Sequence, residues 1–184
     1  MTKSALGTQE RSKAPEPLTF RRRDNGFFKL SAGVVGEMNR YVQNKQGVME
    51  AGGVILGRHI LDGEDIVADL VTVPACDDQR SRHRFFRGRE EHQAVIDGVW
   101  QESERTCTYL GEWHTHPERV PSPSGVDRSD WQRKLKEDQF YGDVLFFVIV
   151  GIRETVVWEG FERDGSYKRL QIRSKTYGVH PQES

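Results

Sequence analysis

His114-Thr115-His116-Pro117 opens the most chemically loaded stretch of the chain, and Ser124 and Asp127 follow close behind. Residues two apart on an extended strand point the same way, so His114 and His116 can hold one cation between them. Pro117, Pro121 and Pro123 stiffen the connecting loop, because each fixes its own φ. Ser124 has the type and place of a helix N-cap, with Asp127 three residues on as in a capping box. Along that helix Ser124, Asp127, Trp131 and Leu135 form one row, so Asp127 shares a face with residues expected to be buried. A carboxylate on a buried face needs a partner, and a metal is the natural one. Two imidazoles and one carboxylate leave a position of a tetrahedral zinc open, as catalytic rather than structural sites do. The competing reading is a polar loop ahead of a self-capped helix.

The order His-x-His, seven residues, Ser-x-x-Asp resembles that of the JAMM (MPN-type) zinc metallopeptidases. Five matches including Pro117 would arise by chance in about one chain in 10⁵ of this length, which weighs against the bland loop. The resemblance implies one zinc per chain, held by His114, His116 and Asp127. The family also places a Glu just before a Gly-rich apolar run, and Met49-Glu50-Ala51-Gly52-Gly53-Val54-Ile55-Leu56-Gly57 matches that pattern. Zinc lowers the pKa of its water to about 7, but something must still accept the proton. Glu50 is the expected general base; taken alone, a Glu before Gly-Gly reads as a solvated strand end. Gly52 and Gly53 allow another backbone, the substrate's included, to come close. By the same resemblance Ser124 helps stabilise the oxyanion, and since one hydroxyl cannot donate to two partners, its helix cap is expected to be partial. Glu112 is in phase with both histidines and departs from the Trp of many eukaryotic members. Its readings are a hydrogen-bond partner behind a histidine, a substrate contact, strand-edge polarity or, last, the base.

The elements needed to position these residues are legible as periodicities. A strand over Thr19–Leu30, broken near Asn25-Gly26, precedes a helix capped by Ser31, with Val34, Val35, Met38, Tyr41 and Val42 on one side and Gly47 at its end. Strands are predicted near 48–57, 64–73 and 80–87, and a helix over 88–104 with His92, Val95, Ile96, Val99 and Trp100 as its stripe. His92 reads as a stripe-edge histidine. The histidine strand covers about 107–116 and its helix 124–139. The apolar run from Val144 to Val150 suits a central strand buried on both faces, and Asp164-Gly165 a closing hairpin turn. The expected fold is a single mixed α+β domain over 18–175, a curved mixed sheet flanked by helices, between a disordered arm (1–17) and a tail (176–184).

With 184 residues and a formal net charge of −1, one domain fits and nucleic acid is disfavoured as a partner. No apolar run reaches the ~20 residues of a membrane span and no signal-peptide pattern opens the chain, so a cytoplasmic protein is expected. Cys76 and Cys107 read as buried thiols in a reducing compartment, and the Arg21-Arg22-Arg23 run as a solvated edge.

The short connections expected around the site suggest a compact bacterial member without the ubiquitin-gripping insertions of eukaryotic ones. Gly111-Glu112-Trp113-His114-Thr115-His116-Pro117-Glu118, with Asp77-Asp78-Gln79-Arg80-Ser81-Arg82 upstream, resembles the JAMM peptidases of CBASS antiphage operons. The resemblance implies hydrolysis of the amide or isopeptide bond joining the C-terminal tail of a cyclic-nucleotide synthase to a target protein. A peptidase for bacterial ubiquitin-like or sulfur-carrier proteins is the enzymatic alternative, and a metal-free MPN scaffold the non-enzymatic one.

Overall fold

Strand β8 (Val144–Val150) is buried along its whole length, as its unbroken apolar run predicts. Its alternate side chains feed two cores. Val144, Phe146, Val148 and Val150 join Val34, Val35 and Met38 of α1 (Ala32–Asn39), whereas Leu145, Phe147 and Ile149 join Trp131 and Leu135 of α3 (Gly125–Glu137). Ile96 and Val99 of α2 (Glu90–Glu102) pack on the second core. The expected helices on both faces of a mixed sheet are therefore found. The computed structural model of the protein describes residues 14–173, so residues 1–13 of the expected arm and all of the expected tail lie outside the described residues.

The remaining strands are β1 (Leu18–Arg21), β2 (Phe27–Leu30), β3 (Gly52–His59), β4 (Ile66–Val71), β5 (Gln79–Ser81), β6 (Arg84–Phe86), β7 (Thr108–Thr115), β9 (Thr155–Phe161), β10 (Tyr167–Arg169) and β11 (Gln171–Ile172). Nine of the strands form one sheet in the order β10-β9-β8-β7-β3-β4-β2-β1-β11. The β7–β8 and β2–β4 pairs are parallel and the others antiparallel. Within β7 the register against β3 shifts at Leu110, so Leu110 and Trp113 enter the α1 core while Tyr109 enters the other. Gly111 makes the bulge possible: its φ is +142°, and a Cβ there would strike the Phe146 carbonyl. The bulge sets Glu112 and His114 on the α3 side of the sheet.

Several expectations are corrected. Helix α1 ends at Asn39 rather than near Gly47, because the chain tightens into i→i−3 bonds over 40–42 and Gln43 turns inward. The strand expected over 80–87 is a separate β5–β6 hairpin whose Arg82-His83 turn carries no glycine or asparagine to announce it. The Arg run is not a uniform solvated edge. Arg22 is buried and pairs with buried Glu159 at 2.8 Å, while Arg21 and Arg23 are exposed. Cys76 is exposed and Cys107 half-buried, so neither is the fully buried thiol expected. Among the described residues no helix is long and apolar enough to cross a membrane.

Candidate active site

Strand β7 delivers His114 at its end, and His116 continues the strand's path, its N–H donating to the Val150 carbonyl at 3.0 Å. The proline loop then returns to α3, pinned where Ser122 N–H donates to the Glu118 carboxylate at 2.8 Å and Ile152 N–H to the Glu118 carbonyl at 2.6 Å. Helix α3 starts with a complete capping box. Asp127 N–H donates to Ser124 Oγ at 3.1 Å and Ser124 N–H to Asp127 Oδ2 at 2.6 Å. Ser124 Oγ serves here as acceptor, so the expected partial cap is replaced by a full one, and the same hydroxyl sits against the Asp127 carboxylate. Stacking of Trp131 on Phe147, at 4.7 Å between ring centroids, seats the helix on the sheet and aims Asp127 at the histidines.

The side chains converge. His114 Nε2 and His116 Nε2 are 3.1 Å apart, Asp127 Oδ1 lies 3.3 Å from the first and Asp127 Oδ2 3.5 Å from the second. Glu50, buried just ahead of β3, brings Oε1 to 3.5 Å from His116 Nε2 and 3.9 Å from His114 Nε2. Glu50, His114 and His116 each offer a donor atom within 4.8 Å of the others. Two donors on one tetrahedral zinc stand about 3.3 Å apart when bonds are ~2.05 Å, so these separations fit a single small cation. The chemistry of the set agrees: two imidazoles and two carboxylates direct nitrogen and oxygen atoms at one point, where a proton shared by His114 and Asp127 or a cation can hold them together.

The two carboxylates differ in electrostatics. Burial pushes Glu50 up to about 7, against the opposing charge of His114 and helped by that of Asp127. Burial acts the same way on Asp127, but the hydrogen bonds and charge of His114, with those from Ser124, hold it well below the usual carboxylate range. Burial alone would lower His114, yet its bond to Asp127 and the surrounding carboxylates raise it. His116 is lowered, by burial first and by the charge of His114 second.

These residues floor a cleft of about 710 Å³ between the β5–β6 hairpin and α3. The expectation of short connections around the site therefore needs amendment, because the hairpin forms a wall. Phe85 of that wall packs over Gly52, and Thr72 packs against Gly53, so both glycines admit neighbours from this chain rather than a substrate backbone. Glu112 lines the cleft, but its carboxylate is taken by Arg87 Nε at 2.8 Å and Lys134 Nζ at 3.3 Å, not by a histidine. It ties the segment after the hairpin to α3. His92 is buried rather than at a stripe edge. Its Nδ1 lies 2.6 Å from Thr72 Oγ1 and its Nε2 3.2 Å from Asp78 Oδ1. No motif points to Thr72, Arg87 or Lys134, and the stretch containing Asp78 gives no sign of its bond to His92, since their partners come from distant segments. The one available signal for His92 was its place on the apolar stripe of α2.

The chain is similar to a CD-NTase/cGAS isopeptidase from Pseudomonas aeruginosa, 40% identical over 104 residues that cover 56% of this chain and 65% of that protein. It is also similar to one of the same name from Escherichia coli, 31% identical over 138 residues, covering 75% of this chain and 83% of the relative. The solution structure of a Desulfitobacterium hafniense protein superposes with a TM-score of 0.53 at 19% identity, over 76% of this chain and 87% of that one, a likeness of fold. The family model describing prokaryotic homologs of the JAB domain matches residues 37–163, the span that runs from the end of α1 past β9 and includes every converging side chain described above. On that match the chain belongs to the prokaryotic JAB-domain family, the JAMM (MPN-type) metallopeptidases its histidine motif resembles.

Proposed function

We propose that this protein is a cytoplasmic zinc-dependent isopeptidase that cuts the amide bond between the C-terminal tail of a CD-NTase/cGAS-type synthase and a protein joined to it. The observation that carries this is the convergence of Glu50, His114, His116 and Asp127 at the floor of an open cleft. The names of the relatives supply the substrate class. His114, His116 and Asp127 hold the zinc, one per chain. Asp127 sets one oxygen 3.3 Å from His114 and the other 3.5 Å from His116, closer overall than Glu50 at 3.9 and 3.5 Å, which supports Asp127 as the third ligand.

When bound, zinc supplies Lewis acidity, polarising a carbonyl and acidifying water. Glu50 is then the proton carrier. Buried beside the histidines, it accepts a proton from the attacking water at Oε1 and returns it to the departing amine as the C–N bond breaks. Ser124, on the cleft wall beside Asp127, turns its hydroxyl to the oxyanion as charge develops. An extended tail fits between the hairpin and α3, where the outer edge of β6 offers backbone partners.

The test fuses a reporter to the C-terminus of a CD-NTase, a bacterial ubiquitin-like protein and a sulfur carrier. Release after the last CD-NTase residue, blocked by chelator, is expected. Cleavage of only the other two fusions overturns the substrate class, and no cleavage by zinc-loaded protein overturns the isopeptidase reading.

A further inference from the structure

We propose that Gln43 is a positioning residue for Glu50, fixing the backbone of residues 48–51 between the histidine strand and the β5–β6 hairpin. The inference rests on reading Glu50 as the proton carrier. Gln43 lies beyond the end of α1 and is only 1% exposed, far deeper than glutamine usually sits. Its Nε2 donates to the carbonyls of Val48 at 3.0 Å and Arg82 at 2.8 Å, and its Oε1 accepts from the Thr115 hydroxyl at 3.2 Å. Both amide protons and the amide oxygen are thus engaged, and a reversed amide would set its oxygen against two carbonyl oxygens. One side chain joins the segment ahead of Glu50, the turn of the hairpin, and the residue between His114 and His116.

Each of those points acts on Glu50 or its neighbour. Thr115 Oγ1 accepts from Ala51 N–H at 3.0 Å. Glu50 N–H donates to the Ser81 carbonyl at 2.7 Å, and Arg80 Nε donates to the Glu50 carbonyl at 2.8 Å. Glutamate is a flexible side chain, so its carboxylate is only as well placed as the backbone that carries it. A misplacement of 1 Å in a reacting group is worth about 10²-fold in rate.

The test compares Gln43→Met, similar in length but without hydrogen bonds, with Val157→Ala, a core variant remote from the network. In Gln43→Met, amide hydrogen exchange over residues 48–52 should accelerate about tenfold, the signature of losing roughly one well-made buried bond. The kcat on a cleavable fusion should fall by about 10²-fold, with KM and zinc content unchanged. Val157→Ala should show neither local change. If Gln43→Met fails to fold, Arg80→Met removes the hairpin's bond to Glu50 and takes the same readouts. Exchange and kcat no different from those of Val157→Ala overturn the proposal. If wild-type protein cleaves no fusion, the isopeptidase reading falls, and the exchange measurement alone still decides whether Gln43 holds the segment.

Discussion

Two histidine–carboxylate assemblies lie within this domain, and they are built on opposite principles. At His92 each ring nitrogen has its own partner, Thr72 on one side and Asp78 on the other, and Asp78 also accepts from the N–H groups of Ala75 and Gly88 at 2.7 Å each. Every polar atom there is satisfied by the chain itself, so the assembly clamps the base of the β5–β6 hairpin and asks for nothing more. At His114 and His116 the two Nε2 atoms face one another at 3.1 Å with carboxylates on either side, so several potential ligand atoms share one point instead of each having its own partner. The lesson is that burial and a nearby carboxylate do not mark a histidine as a ligand. Convergence of several nitrogen and oxygen atoms on one point does.

The sharpest way to break the comparison is to remove the function of one centre and leave the fold. Glu50→Gln should keep zinc and thermal stability but lose about 10²–10⁴-fold in kcat, since an amide cannot accept the proton. His116→Ala should lose most zinc, read by elemental analysis. Full zinc occupancy in a His114/His116 double variant would contradict the ligand assignment.

Next in size is a pH effect on the zinc-free protein. Glu50 has a folded value of about 7 against an ordinary 4.5, so the folded chain binds the proton more tightly. That contribution, at most about 3 kcal/mol, is fully present below 4.5 and disappears as pH rises through about 7. Chelated wild type should therefore lose stability across that window in denaturant titrations, and Glu50→Gln should flatten the curve. An equal slope in both proteins would remove Glu50 as its source.

His92→Phe tests the other centre. It leaves Thr72 and the buried Asp78 each short of a partner, which should cost about 2 kcal/mol in unfolding free energy, with zinc content per folded chain unchanged. Loss of zinc at intact fold would erase the distinction between the two assemblies. Glu112→Gln should have the smallest effect, about 1 kcal/mol and a modest rise in KM, because the amide oxygen still accepts from Arg87 while Lys134 keeps Asp130 at 2.8 Å. A loss larger than that of Glu50→Gln would make Glu112 the base.

What could be read without coordinates was local. The capping box at Ser124 and Asp127, the stripe of α1 through Met38, the buried run of β8 and the strand phase of His114 each depend on residues a few positions apart, so spacing alone carries them. What could not be read depended on pairing across the sheet. The register shift at Leu110, the inward turn of Gln43 and the partners of Glu112 and His92 involve segments far apart in the chain, from 14 residues for His92 and Asp78 to 72 for Gln43 and Thr115, with no periodic signal to mark them. The β5–β6 hairpin carries no local turn signal for a related reason, since Gln43 and Glu50, distant in the chain, hold its turn from outside.

By itself, then, the sequence determined which residue types stand ready on which faces, because side-chain direction follows from the 2- and 3.6-residue periods of strand and helix. Only the tertiary structure decided how those faces meet. It made one pair of histidines a converging cluster and left another histidine a satisfied clamp. It also gave two carboxylates beside the same rings opposite electrostatic fates, because burial and neighbouring charge belong to the assembled fold and to no single stretch of chain.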